Sequence, residues 1–217
     1  MKNYEEYLKL ITKVDSNKVY TSDIDIKAYS NPGKDFFSEK TRTGFMKTEF
    51  SKKVRENAIS IIEIKIDSNM YNNLLSLAKS LEYSDFYQPL GIALSPKNEI
   101  VEEVLDIFLP IRNYIISSHF TKILPNGILP PHVDNIRGTA IYLPLFQNDL
   151  TYSPFEIYFE NEIYAITKNS KPCFYAWNSQ LLHAVYNNEN TRYNFQITIE
   201  KPYNEMIKII DEIYNVR

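Results

Sequence analysis

Hydrophobic positions recur along this chain with two different periods, and the change of period divides it. In the first half they fall at helical spacing. Asp67-Ser68 stands before Met70, Leu74, Leu75, Leu77, Ala78 and Leu81, which predicts a capped amphipathic helix ending near residue 82. A second helix is predicted after Ser95-Pro96, where Ile100, Val101, Val104, Leu105 and Phe108 repeat until Pro110 interrupts them. Ile61 to Ile66 reads as a strand.

From Tyr114 onward short alternating runs separated by turn residues predict strands near 114–124, 132–135, 138–146, 154–160, 163–168, 172–177, 182–187 and 192–200. Phe155 to Thr167 is written as a hairpin, although its turn, Glu160-Asn161-Glu162, lacks Asn-Gly. In the last run Arg192, Asn194, Gln196 and Thr198 alternate with Tyr193, Phe195, Ile197 and Ile199. Beside His183, the polar face of that strand is expected to line a barrel mouth and the apolar face to lie under helices. About eight strands suit a double-stranded β-helix, the cupin-like jelly roll. The expected fold is therefore mainly β with flanking helices and an α-rich N-terminal half. Residues 1–217 form one domain in this reading, with a helix-rich extension and buttress over 1–113, the β-helix core over 114–200 and a C-terminal helix over 201–217, centred on Glu205 to Tyr214. Within the extension, 21–57 is polar and irregular, a lid or a disordered segment.

Composition narrows the function. Apolar residues make up 44% of the 217, enough for a sizeable core, and 24 Lys and Arg against 27 Asp and Glu leave a net charge of −3. No strong positive field recruits nucleic acid, which is disfavoured as a partner. Cys173 is the single cysteine, so a disulfide scaffold is excluded and a reduced, cytoplasmic setting fits; a buried structural thiol is expected there. No apolar run is long enough for a membrane span, and Met1 to Glu6 does not resemble a signal peptide. Five glycines and the absence of a Gly-rich loop argue against a Rossmann or phosphate-loop site. Oligomeric state is not legible.

The chemistry gathers in few residues. Only three histidines occur, and two of them stand in His132-Val133-Asp134 and in Leu182-His183-Ala184-Val185. Residues at i and i+2 of an extended strand face the same way, so His132 and Asp134 can grip one ion, with a distant His as third ligand. Two imidazoles and a carboxylate are the facial set that holds non-heme Fe(II) while leaving coordination positions open. Of the remaining candidates, His119 reads as a hydrogen-bonded core or surface histidine and Arg137 as a salt-bridging residue that could also reach a ligand. Trp177 and Asn178 read as packing near the pocket. None is given a catalytic role.

The run from His119-Phe120-Thr121 through Leu129-Pro130-Pro131-His132-Val133-Asp134 to Arg192-Tyr193-Asn194 resembles the Fe(II)/2-oxoglutarate dioxygenase superfamily, most closely its small aspartyl/asparaginyl- and prolyl-hydroxylase-like members, phage-type ones included. The resemblance covers residues 119 to 200 and rests on few positions. It implies that His132, Asp134 and His183 are the iron ligands and that Arg192, nine residues after His183, pairs with the far carboxylate of 2-oxoglutarate through its guanidinium fork. Asn194 stands where many relatives carry Ser; its amide can still donate to a carboxylate. Implied with these are O₂ as co-reactant, succinate as by-product, and hydroxylation of an unactivated C–H on a small-molecule, peptide or protein substrate, an amino-acid side chain above all. Asp134, in place of Gly or Ala, favours hydroxylation over halogenation. Two other readings stay open: a cupin-like metalloprotein acting as hydrolase or isomerase, and a non-catalytic binding barrel.

Overall fold

In the computed structural model, which describes residues 46–47, 49–87, 90–134, 137–145, 155–160, 162–166, 172–187 and 190–217, the elements follow in chain order. They are β1 (Met46–Lys47), α1 (Lys52–Asn57), β2 (Ile59–Ile62), α2 (Ser68–Ser80), β3 (Ser84–Tyr87), β4 (Leu90–Leu94), α3 (Glu99–Ile107), a 3₁₀ turn (Leu109–Tyr114), β5 (Ile115–Ile123) and β6 (Ile128–His132). Then come β7 (Thr139–Leu145), β8 (Phe155–Phe159), β9 (Glu162–Ile166), β10 (Phe174–Asn178), β11 (His183–Tyr186), β12 (Arg192–Ile199) and α4 (Tyr203–Tyr214). Most of the lid expected over 21–57 lies outside the described residues.

Among the described residues the strands form two sheets, ordered β2-β10-β7-β12-β5-β4-β3 and β1-β9-β8-β11-β6. From β5 onward the chain passes back and forth between them: β5, β7, β10 and β12 belong to the larger, β6, β8, β9 and β11 to the smaller. That alternation is the winding of a double-stranded β-helix. Seven of the eight strands expected from Tyr114 onward lie over their predicted ranges; the exception is β6, expected at 132–135 and found at Ile128–His132, so that only His132 is common to both. The β8–β9 hairpin forms as predicted, Phe159 opposite Glu162, and without Asn-Gly the twist of the turn is taken up by Glu160 at φ 50°.

Alternation decides what each face meets. Along β12, Tyr193, Phe195, Ile197 and Ile199 pack outward in a core shared with Leu74, Leu75 and Ala78 of α2, Val104 and Leu105 of α3, and Met206, Ile207 and Ile210 of α4. The intervening residues face the barrel interior, where Asn194 stands opposite Thr121, Gln196 opposite His119 and Thr198 opposite Ser117 on β5. Inside, Ile59, Tyr142, Phe155, Ile157, Tyr175, Trp177 and Val185 make a second cluster. Helix α2 is started by Asp67, whose Oδ1 accepts from the amides of Asn69 (2.7 Å) and Met70 (3.0 Å). Helix α3 begins after Asn98, two residues later than Pro96 suggested, because Asn98 Oδ1 accepts from Val101 N at 3.0 Å.

The described part of the N-terminal half is less purely helical than its pattern suggested. β2 pairs with β10 and β3-β4 extend the large sheet beyond β5. Cys173 is half-buried beside the inner cluster, not fully enclosed. Among the described residues no helix is long and apolar enough to cross a membrane.

Candidate functional site

β6 ends at His132 and β11 begins at His183, and the antiparallel register sets these two positions directly opposite each other, before a bulge that shifts the pairing to Val185 with Leu129. Of His132 only the backbone is described. Asp134 lies two residues past the end of β6, so an extended strand does not carry it, contrary to the i, i+2 argument from sequence. It is placed instead by backbone bonds: its N–H donates to Ser179 O at 2.9 Å and its carbonyl accepts from Gln180 Nε2 at 2.6 Å. The result brings Asp134 Oδ2 to 3.8 Å from His183 Nε2.

The imidazole is prepared for one role. His183 Nδ1 sits 2.9 Å from Leu181 O. A carbonyl only accepts, so Nδ1 carries the hydrogen and the lone pair belongs to Nε2, on the side of Asp134. This is the tautomer a metal-ligating histidine adopts when its other nitrogen is held by a backbone carbonyl. The ring is 2% exposed, with Trp177 edge-on at 4.4 Å and Phe155 tilted at 5.7 Å between centroids.

A donor separation of 3.8 Å admits an ion at roughly 2.1 Å from each atom, the usual metal–nitrogen and metal–oxygen length. The chemistry of the pair, one neutral nitrogen and one carboxylate oxygen, suits a borderline divalent metal. In the same wall, among the described residues, the buried Trp177 Nε1–H has no hydrogen-bond partner. The residues present therefore fit a bound metal. Among the described residues no three His, Cys, Asp or Glu side chains converge; His183 and Asp134 make a pair, with position 132 across the strand.

Further in, a second polar cluster occupies the same interior face. Arg192, 5% exposed, donates from Nε to Asn194 Oδ1 at 3.2 Å and through a terminal nitrogen to the Tyr142 hydroxyl. Tyr142 OH donates to Asn194 Oδ1 at 2.7 Å, and Asn194 Nδ2 donates to Thr121 Oγ1 at 2.8 Å. The Asn194 amide thus braces Arg192 and Tyr142, its nitrogen turned to Thr121. Burial raises the Tyr142 pKa, against the pull of Arg192, so the phenol stays neutral. Tyr142 stacks on Phe155 at 5.6 Å, and Phe155 leads to His183, which joins the two clusters. One aromatic among 17 tyrosines, Tyr142 had no distinguishing signal in sequence beyond the inward phase of β7.

Two residues of undecided role also belong here. Arg137 Nε donates to Asp134 Oδ2 at 2.7 Å, its NH1 to Gln196 Oε1 at 2.8 Å, and its guanidinium lies 5.3 Å from the Trp177 ring centroid. His119 stands opposite Gln196. Burial first, and then the charge of Arg137, push its pKa down to about 4 against the opposing pull of Asp134 and Gln196, leaving it neutral at ordinary pH.

No family model matches this chain, and no curated protein does. Solved structures do. A prolyl-4-hydroxylase from Pseudomonas putida superposes with a TM-score of 0.58 at 12% identity, over 69% of this chain and 96% of that one. An oxidoreductase of the 2OG-Fe(II) oxygenase family from Burkholderia pseudomallei gives 0.55 at 9% identity, over 74% and 98%. A prolyl hydroxylase from Trichoplax adhaerens, in complex with a hypoxia inducible factor oxygen degradation domain peptide fragment, gives 0.54 at 15% identity, over 73% and 89%. At these identities the likeness establishes the fold.

Proposed function

We propose that the chain is an Fe(II)- and 2-oxoglutarate-dependent oxygenase that hydroxylates an unactivated C–H of an amino-acid side chain, in a free amino acid, a peptide or a protein. The observation that carries the reading is the His183 Nε2 lone pair, fixed by Leu181 O and set 3.8 Å from Asp134 Oδ2 beside position 132. Its support from outside is the fold shared with a 2OG-Fe(II) oxygenase family member and with a prolyl hydroxylase solved with a peptide fragment.

His132, Asp134 and His183 would hold the metal by three protein donors, leaving positions for exchangeable ligands. Arg192 and the Tyr142 hydroxyl would take the far carboxylate of the 2-oxo acid, a guanidinium meeting a carboxylate by charge-assisted bonds in a nearly dry interior. Bound there, iron with 2-oxoglutarate and O₂ supplies the oxidising power, the 2-oxo acid leaving as succinate and CO₂. The chain's own contribution is placement and exclusion of water: Trp177, Phe155, Tyr142 and Ile157 wall the interior, each under 5% exposed.

The test is turnover. Purified protein given Fe(II), 2-oxoglutarate and air should release succinate, and Asp134→Ala or His183→Ala should abolish the release while leaving the fold, by circular dichroism, in place. A screen of amino acids and peptides for the gain of one oxygen atom then identifies the substrate. Arg192→Ala should raise the concentration of 2-oxoglutarate needed; a hydrolase or isomerase on the same metal would be indifferent to that change.

A further inference from the structure

We propose that Arg137 is a positioning residue that presets the Asp134 carboxylate for a divalent metal ion, an inference that rests on the metal reading above. Asp134 stands outside regular structure, and an aspartate there, with a broad second torsion, would wander. Its Oδ2 is instead held by Arg137 Nε at 2.7 Å, a charge-assisted bond, and this is the same oxygen that lies 3.8 Å from His183 Nε2. The guanidinium thus helps fix where the ligand oxygen stands.

Arg137 is itself fixed at both ends. Its NH1 donates to Gln196 Oε1 at 2.8 Å and its plane lies over the Trp177 ring at 5.3 Å. Its backbone carbonyl accepts from Ser179 Oγ and from Gln180 Nε2, each at 2.6 Å. Gln180 Nε2 also reaches Asp134 O at 2.6 Å, and Asp134 N donates to Ser179 O at 2.9 Å. The segment bearing Asp134 and the turn leading to His183 are therefore one hydrogen-bonded unit, with Arg137 as its inner clasp.

A cation beside a ligand also repels the incoming dication, and the two effects oppose each other. Both side chains are largely buried, 12% exposed for Arg137 and 19% for Asp134, so solvent screens little; the Asp134 carboxylate offsets the guanidinium at contact distance instead, and the incoming dication meets a pair of no net charge. Partners that orient a ligand typically govern metal affinity about 10- to 100-fold. Orientation wins, and loss of Arg137 should weaken binding.

The experiment is a titration of the metal-free full-length chain with Mn(II), the free ion read by its electron paramagnetic resonance signal, alongside the melting temperature of each metal-free variant. Arg137→Met should bind Mn(II) about 10- to 100-fold more weakly than the wild type. Arg137→Lys, which keeps a charge and one donor, should recover part of the loss. Gln196→Leu, which leaves the charge beside Asp134 and removes one anchor of the guanidinium, should weaken binding several-fold. Mn(II) affinity of Arg137→Met equal to or above that of the wild type overturns the proposal. If Arg137→Met does not fold, unchanged affinity in Gln196→Leu overturns it. Failure of the wild type itself to bind Mn(II) sinks the metal reading as well, so the two failures are told apart.

Discussion

At the scale of single residues the interior is governed by which hydrogen goes where. Tyr142 shows this most directly: its hydroxyl accepts from Arg192 and donates to Asn194 Oδ1, so it sits between the buried cation and the amide that braces it. Tyr142→Phe keeps the ring stacked on Phe155 and removes only the oxygen. A hydrogen bond to a charged group contributes about 1.5–3 kcal/mol. The 2-oxoglutarate concentration for half-maximal succinate release should therefore rise roughly 10- to 100-fold, with little change in rate at saturation; an unchanged half-saturation removes Tyr142 from the anchor. His119 supplies a pH dependence. Its pKa falls from the ordinary 6.5 to about 4 in the folded chain, because burial disfavours the imidazolium and Arg137 repels it. Between those two values the unfolded chain binds the extra proton, so stability is full above about pH 6.5 and is lost as the pH drops towards 4. The loss from this group is at most about 3 kcal/mol. His119→Gln should flatten the acid limb of melting temperature against pH in the metal-free protein, and an acid limb parallel to that of the wild type would show that His119 does not carry it.

At the scale of elements, β7 is strapped to its neighbour where β7 begins and β12 ends. Gly138 N donates to Ile199 O at 3.1 Å and Thr139 Oγ1 to Lys201 O at 2.8 Å. A Cβ at position 138 would lie 2.7 Å from both Glu200 O and Lys201 O, backbone atoms that cannot swing aside. Gly138→Ala should cost about 1–3 kcal/mol, as overpacking does, and lower the melting temperature by about 2–12 °C. Because Arg137 is the preceding residue, Mn(II) affinity should fall with it. The same elements show what sequence pattern can carry. Seven of the β-helix strands were legible since each alternates apolar and polar residues or runs wholly apolar between turn residues, and α2 and α4 since their apolar residues keep helical spacing; β6 was set four residues late, its run Ile128–His132 being broken by Pro130 and Pro131. β3 and β4 were not, because Ser84–Tyr87 and Leu90–Leu94 are short additions to the margin of a sheet that lack a clean alternation. α1 was missed because its six residues bury only Val54 and its signal reduces to the Ser51 cap. At the site, His132, Asp134 and His183 stood out by residue type, although the strand spacing invoked for Asp134 does not hold, and Arg192 was singled out by the family resemblance. Tyr142, Gln196 and the Ser179–Gln180 clip did not, since their parts come from register and from a turn geometry that no local spacing encodes.

At the scale of the molecule, the candidate ligands are divided between the two sheets. Positions 132 and 183 belong to β6 and β11 of the smaller sheet, and Asp134 is tied to the turn before β11, whereas Arg192 belongs to β12 of the larger. A metal ion alone would cross-link segments that already neighbour one another. A 2-oxo acid chelated to that metal and held at its far end by Arg192 would join the sheets across the interior, so the second ligand should stabilise the whole barrel and not its rim. Binding to the folded state alone adds about 2.7 kcal/mol at a ligand concentration 100 times Kd, which for a chain of this size is a rise of about 5–11 °C in melting temperature. Melting in the absence of O₂ with Mn(II), and then with Mn(II) and 2-oxoglutarate, should therefore rise in two steps. Asp134→Ala should lose both, while Arg192→Ala should keep the first and lose most of the second. A full second step in Arg192→Ala would place the far carboxylate elsewhere, and would detach the larger sheet from the chemistry assigned to it.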